Sequence, residues 1–292
     1  MENNNVLKAS KQKIVVQGIL KEKKLELKSS EKGEFISGSV IIKTKDGSEI
    51  IVKLFANKYS INKTTNEQTE NKLYANLLKV KDQYISEAEI AANNLTDKTP
   101  TIVMAKGASF DKNDYYNTKL NRVVEGIVIK AMAIDEIAAD KVAPNATFEI
   151  TAYMQKMSDE IKDDLPTGRQ KCTLLFPVYL GKLAAIDVIA TDKLSNLLVS
   201  EGTGNTYTFY GNIKNIFNEK TIMKQGAVCD IPEIVREVVR EYEIYNADIF
   251  NGALALPEEN EGYLNPDDIK IALADREATL NQLKNDADAV NW

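Results

Sequence analysis

Apolar and polar residues alternate along much of this chain, most cleanly over Glu34–Thr44. There Ile36, Gly38, Val40 and Ile42 fall on one side, and Phe35, Ser37, Ser39, Ile41 and Lys43 on the other. A period of two is what a half-buried strand requires. Lys45-Asp46-Gly47-Ser48 supplies a hairpin turn, Asp-Gly being a favoured dipeptide for two-residue loops. Glu49–Ala56 then returns with Ile50, Val52 and Leu54 against Ile51, Lys53 and Phe55. The first set in each strand is a core face. The second is an aromatic-plus-lysine surface, carrying Phe35, Lys43, Lys53 and Phe55 on neighbouring strands.

Three further segments place a glycine inside an apolar run that ends near a lysine: Ile14–Lys21, Val123–Lys130 and Tyr207–Phe217. A glycine within a strand weakens it and marks a bulge, a barrel corner or the close approach of another backbone. All three read as bent strands, as a small, strongly curved barrel needs. In the last, Tyr207, Phe209 and Ile213 share a core face, Gly211 is the bend, and Tyr210, Asn212 and Lys214 look outward.

The remaining pattern completes two units. In the first, Asn57–Gln68 reads as a loop and Leu73–Ala92 as one amphipathic helix. Thr101–Ala105 is a strand, Phe110–Tyr116 a polar, aromatic hairpin and Leu120–Met132 the closing strand. In the second, Thr147–Met157 is a strand, Ser158–Asp164 an acidic connection, and Arg169–Leu180 a strand with Cys172, Leu174, Phe176 and Val178 inward. Arg169, Lys171, Thr173 and Tyr179 face outward. Gly181–Ala190 is a further strand, Asp192 caps a helix through Val199, and Ile234–Tyr245 is the last strand. The expected fold is mainly β with a few helices (α+β): two oligonucleotide-binding-like small barrels in tandem, over residues 1–140 and 141–246. An acidic linker over 247–265 precedes a carboxy-terminal helix and acidic tail over 266–292. Ile269, Leu273, Arg276, Leu280 and Leu283 form a heptad-like stripe interrupted by Arg276, too short for a lone coiled coil. It predicts a docking helix or a contact for self-association.

Charge sharpens this. The net charge is −6, but residues 1–130 carry 22 Lys+Arg against 16 Asp+Glu, whereas 131–292 carry 15 against 27. A basic front half suits a polyanionic partner and an acidic end suits protein contacts or self-shielding. The chain contains no histidine, which removes the commonest general base and transition-metal ligand. Gly202-Thr203-Gly204 lacks the spacing of a dinucleotide fingerprint, and no phosphate-loop motif occurs. The aspartates of 111–116 do not make an EF-hand, since the required glycine is missing and Arg122 stands where the final glutamate belongs. No enzyme activity and no cofactor or metal are expected. Cys172 and Cys229 have no CxxC spacing and read as reduced thiols. There is neither a signal-peptide layout nor an apolar run long enough to span a bilayer. A cytoplasmic protein, without a membrane partner, is expected.

Barrels of this kind bind single strands by stacking bases on exposed aromatics and holding phosphates with lysine and arginine. The candidate contacts are Phe35, Phe55, Tyr115, Tyr116, Tyr179 and Tyr210, with Lys43, Lys53, Arg122, Lys130, Arg169, Lys171 and Lys214. Any one outward ring taken alone is better read as covered by a helix or by the other unit, so the expectation rests on the set.

Four segments resemble a family of phage-encoded single-stranded DNA-binding proteins with tandem oligonucleotide-binding barrels. They are Leu20-Lys-Glu-Lys-Lys-Leu-Glu-Leu-Lys28, Phe35-Ile-Ser-Gly-Ser-Val-Ile-Ile-Lys-Thr44, the run from Phe176-Pro-Val-Tyr179 to Tyr210-Gly-Asn-Ile213, and the Ile269–Lys284 helix. The resemblance implies a replication or recombination accessory that coats single-stranded DNA in the host bacterial cytoplasm. The acidic end, with Asp286, Asp288 and Trp292, is similar to tails that recruit replication or recombination proteins, although alanine and asparagine dilute its acids. Two alternatives stay open. One is a virion structural or assembly protein acting only through protein contacts; the other, a nuclease or nucleotidyl transferase, needs metal-dependent turnover that no motif announces.

Overall fold

The computed structural model describes residues 7–290 apart from 32, 62, 63, 66, 163, 225–230 and 251–261. In chain order the first strands are β1 (Gln12–Val15), β2 (Gln17–Ser30), β3 (Gly33–Lys43), β4 (Glu49–Asn57), β5 (Tyr59–Ile61) and β6 (Gln68–Glu70). Helices α1 (Lys72–Gln83) and α2 (Glu87–Asn93) follow. Next come β7 (Ile102–Lys106), β8 (Ser109–Lys112), β9 (Tyr115–Asn117), β10 (Arg122–Val124), β11 (Ile127–Ala131) and β12 (Ala133–Glu136). The second half holds β13 (Ala146–Lys162), β14 (Leu165–Pro177), β15 (Leu183–Ala190), α3 (Asp192–Glu201), β16 (Thr206–Lys224), β17 (Ile231–Ile249) and α4 (Pro266–Val290).

The strands form a curled sheet and a closed barrel. The curled sheet has the order β12-β7-β2-β3-β4-β11-β8. Its strands β11 and β12 are separated in the chain by Met132 alone, so the chain itself links β4 to β7. The barrel has the order β13-β14-β15-β17-β16, and β16 pairs back onto β13 to close it. The mainly β class with few helices is therefore found. Both sheets contain a parallel pairing, β4 with β11 and β15 with β17. Register shifts at Met154/Lys156 and Asp159/Ile161 bend β13 so that its early part serves β16 and its later part β14; bulges increase local bend and twist.

The alternation of β3 and β4 is realised as expected. Ile36, Val40, Ile42, Ile50, Val52, Leu54 and Ala56 are buried, and the intervening side chains face away from the core. The two sheets share one apolar core. Phe110 of β8 lies with its ring 5.6 Å from Phe148, 6.3 Å from Phe176 and 5.5 Å from Tyr242, all three from the barrel. Strand β1 pairs with β13 and then runs into β2 of the curled sheet.

Two of the three glycine bends are explained by close approach. A side chain at Gly18 would come within 2.1 Å of the Lys43 carbonyl oxygen, and one at Gly211 within 2.4 Å of the Phe148 ring. Gly211 also sits at the register shift of the β16–β17 ladder. Gly126 instead lies between β10 and β11, so Leu120–Met132 is broken where one strand was expected.

Other expectations are corrected. The helix over 73–92 is two helices, because Ser86 and Glu89 form a capping box that starts α2 anew while Tyr84 turns inward and accepts from the Glu136 amide. The expected loop over 57–68 contains strand β5, which pairs with β6 at its end. The acidic Ser158–Asp164 stretch is mostly strand, with Asp159 bonded to Gln170 and Glu160 to Arg169 across the ladder. Thr191, not Asp192, is the cap residue of α3. Strand β17 runs to Ile249 and takes in the start of the expected 247–265 linker, of which 251–261 lie outside the described residues, as does Cys229.

Helix α4 docks on its own chain. Ile269 joins Leu175, Leu183 and Leu264 in an apolar cluster, with Ala272 and Leu273 against it. Leu175 is an outward position of β14, so α4 covers part of the barrel's outer surface. Among the described residues no helix is long and apolar enough to cross a membrane.

Candidate nucleic-acid interface

Phe35, Phe55 and Lys53 come together on the outer face of β3 and β4. Ser37 lies opposite Phe55 and Ser39 opposite Lys53, so Phe35 and Phe55 are diagonal neighbours. Their ring centroids are 5.4 Å apart and tilted by 39°. Phe55 is 56% exposed and Ile51, two steps beyond Lys53 on the same face, is 50% exposed. The buried set Ile50, Val52, Leu54 and Ala56 forces this, since every second residue of a strand must point the other way. Lys53 is exposed and has no carboxylate partner among the described residues. Lys130 stands beside Lys53 on β11 but is bonded to Asp111. Lys43 sits at the far end of β3, 4.0 Å from Glu87.

Tyr115, Tyr116 and Arg122 belong to the β9–β10 hairpin, which leads into β11. Tyr115 is 45% exposed, Tyr116 donates its hydroxyl to Asn121 Oδ1, and Arg122 is exposed with no carboxylate partner among the described residues. Both ends of this hairpin are fastened from α4. Arg276 is buried and donates to Asp114, just before β9, and to Glu125, just after β10. Its Nη1 also donates to the Leu183 carbonyl at 2.8 Å.

The barrel candidates are placed differently. Arg169 grips Glu160 through Nε at 2.8 Å and Nη2 at 2.9 Å, and Glu241 through Nη1 at 2.9 Å. Partial burial opposes its charge, but the bonds to Glu160 and Glu241 prevail and hold its pKa above the ordinary arginine value. Lys171 is 2.8 Å from Asp187, and Lys214 is 2.8 Å from Glu243. Tyr210 donates to Asp248 at 3.0 Å, a bond that raises its pKa. Tyr179 is 77% exposed on a 3₁₀ turn, Tyr179–Gly181, apart from the other aromatics. The three candidate cations of the barrel, Arg169, Lys171 and Lys214, are thus each matched by carboxylates. Asp286 is exposed on α4, the side chain of Asp288 is outside the description, and Trp292 lies outside the described residues. Cys172 is fully buried, and burial pushes its thiol up to about 11, so it is no nucleophile at neutral pH.

One feature was not anticipated from the sequence. An open groove of about 450 Å³ runs between β4 and β11 on one side and β16 and β17 on the other, lined among others by Ile51, Lys53, Lys214, Phe217 and Arg240. Asn215 fastens its wall, donating from Nδ2 to the Glu49 carbonyl at 2.6 Å. Phe217 and Arg240 are both in the chain's alternating runs, but only the register of β16 against β17 brings them together.

Comparison with known proteins gives one family. No curated protein matches. Among solved structures, the chain is similar to the wild-type single-stranded DNA binding protein from Thermus aquaticus at 8% identity and TM-score 0.47, over 85% of this chain and 97% of that one. A deletion mutant of the same Thermus aquaticus protein is similar at 9% identity and TM-score 0.47, over 85% of this chain and 98% of that one. The family described as YorF matches residues 11–286, nearly the whole length, and the chain belongs to the YorF family.

Proposed function

We propose that this protein binds single-stranded DNA with little sequence preference and without catalysis, serving phage DNA replication or recombination inside the host cell. The observation that carries the reading is the Phe35–Phe55 ring pair, with Phe55 exposed and Phe35 half-buried, beside Lys53, which has no carboxylate partner among the described residues. Among the described residues the two rings pair with each other on the outer face of the strand pair, and an exposed ring such as Phe55 offers a base a stacking surface worth about 1–3 kcal/mol. The outer face of the second and third strands is where oligonucleotide-binding barrels take their ligand, and β3 and β4 are the second and third long strands of the curled sheet. On this reading residues 1–140 and 141–246 are two such units, and the first makes the principal contact. Arg122 and the tyrosines of the β9–β10 hairpin extend its surface. Arg169, Lys171 and Lys214 serve mainly to hold the barrel, since a phosphate there competes with carboxylates already in place. The acidic end, with Asp286, Asp288 and Trp292, is the contact for replication or recombination proteins.

The test is titration of a labelled oligo-dT with the protein at rising salt. Salt-sensitive binding supports the reading. Absence of retention at low salt favours a particle or assembly protein that uses the same exposed rings for protein contacts.

A further inference from the structure

We propose that the groove between the β4–β11 edge and the β16–β17 hairpin is a second stacking station, so that one strand of DNA runs from the Phe35–Phe55 pair across to Phe217. This rests on the single-strand reading above and adds a site on the second half of the chain.

The path is laid out by β4. Phe55, Lys53 and Ile51 follow one another on its outer face, about 6.5 Å apart at two residues per step, and Lys53 and Ile51 are themselves walls of the groove. At the groove's other side Phe217 is 46% exposed. The guanidinium of Arg240 lies over its ring, 5.8 Å from the centroid, within the range of a cation–π contact. A volume of about 450 Å³ lies in the range of small-molecule sites, ample for a stacked base. The walls mix apolar side chains with a few polar groups, as such sites do: Ile41, Ile51 and Ile129 against Lys53, Lys214 and Arg240.

Charge decides the class of occupant. The two carboxylates of the lining are already engaged, Glu49 by Lys21 and Glu241 by Arg169. Lys214 is held by Glu243. What remains without a carboxylate among the described lining residues is Lys53 and Arg240, two cations beside exposed apolar surface. An anion carrying a planar ring fits that remainder, and a neutral apolar ligand leaves the cations unused. A nucleotide of a single strand already anchored on Phe35 and Phe55 supplies both halves.

The experiment measures affinity for labelled oligo-dT over lengths from about 4 to about 16 nucleotides, the span of site sizes for such barrels. It compares the full chain with Phe217→Ala, Arg240→Gln and Phe55→Ala. Phe55→Ala is expected to weaken every length. Phe217→Ala is expected to leave the shortest oligomer unchanged and weaken the longest about tenfold, the loss of one stacked base. Arg240→Gln, which keeps the ring, should lower the salt dependence for the longest oligomer only. If Phe217→Ala and Arg240→Gln bind every length like the parent while Phe55→Ala weakens binding, the groove is no station, although the single-strand reading stands. If the parent itself binds no oligomer, both fall together.

Discussion

Arg276 donates to Asp114 from both terminal nitrogens, at 2.9 and 3.2 Å, and so fastens the carboxy-terminal helix to the base of the β9–β10 hairpin. The two side chains are nearly buried, at 6% and 2% exposure. A buried ion pair contributes less than its Coulomb energy, because both charges lose water. Breaking it is costly, because the surviving charge stays buried without a partner. Arg276→Ala is therefore expected to cost about 3–5 kcal/mol, read as a lower urea midpoint, and to free α4 for early proteolysis. An unchanged midpoint would show that α4 docks through Ile269 and its apolar neighbours alone.

The Arg169 cluster predicts a pH dependence of stability. Burial pushes the Glu160 carboxyl up, but bonds from Arg169 and Thr167 outweigh it and leave the pKa below the ordinary 4.5. A carboxylate with a lowered folded pKa contributes stability that is complete above the unfolded value and is lost as pH falls through the folded one. Thermal unfolding followed from pH 7 downward should thus show this contribution intact until about 4.5, then declining. Glu160→Gln should be less stable than the parent at pH 7, with the gap closing under acid. A gap that stays constant down to the lowest pH would contradict the assignment.

Gly211 predicts a packing cost. A methyl there meets the Phe148 ring at 2.4 Å and the Glu243 carbonyl at 2.6 Å, and overfilling a core typically costs about 1–3 kcal/mol. Gly211→Ala is expected to lower the unfolding midpoint accordingly. Parent-like stability would mean that the β16–β17 bulge relaxes freely.

Lys53 predicts a change in salt response. A phosphate contact on a single strand contributes a slope of about 0.7 in log affinity against log salt. Lys53→Gln should shallow the slope by roughly that amount, and Lys171→Gln, whose cation is held by Asp187, by much less. Equal slopes for both variants would place Lys53 outside the contact.

How much of this was legible in the sequence depends on the range of the interaction. The β3–β4 face was readable because a period of two is local, and it put Phe35, Phe55 and Lys53 on one surface before any register was known. Gly18 and Gly211 were readable as bends for the same reason. The break between α1 and α2 was also written locally, in Ser86 and Glu89, but the apolar spacing of Leu73–Ala92 concealed it. Arg276 looked like an interruption of the α4 stripe and is its buried anchor, since Asp114 lies 162 residues away. The matching of Arg169 with Glu241, across 72 residues, was equally beyond local pattern. So was the meeting of Phe217 with Lys53 across the groove. Outwardness followed from periodicity, whereas availability depended on long-range partners.

The central claim is that Phe35 and Phe55 are a ligand surface and not unfinished packing. It is tested most directly by fluorescence anisotropy of a labelled oligo-dT titrated at low salt with the parent and with Phe55→Ala, each checked for an unchanged unfolding midpoint. The account predicts salt-sensitive binding by the parent and an affinity at least about fivefold weaker for Phe55→Ala, the low end of one lost stacking contact. Equal affinity of the two proteins, or no binding by either, would contradict it.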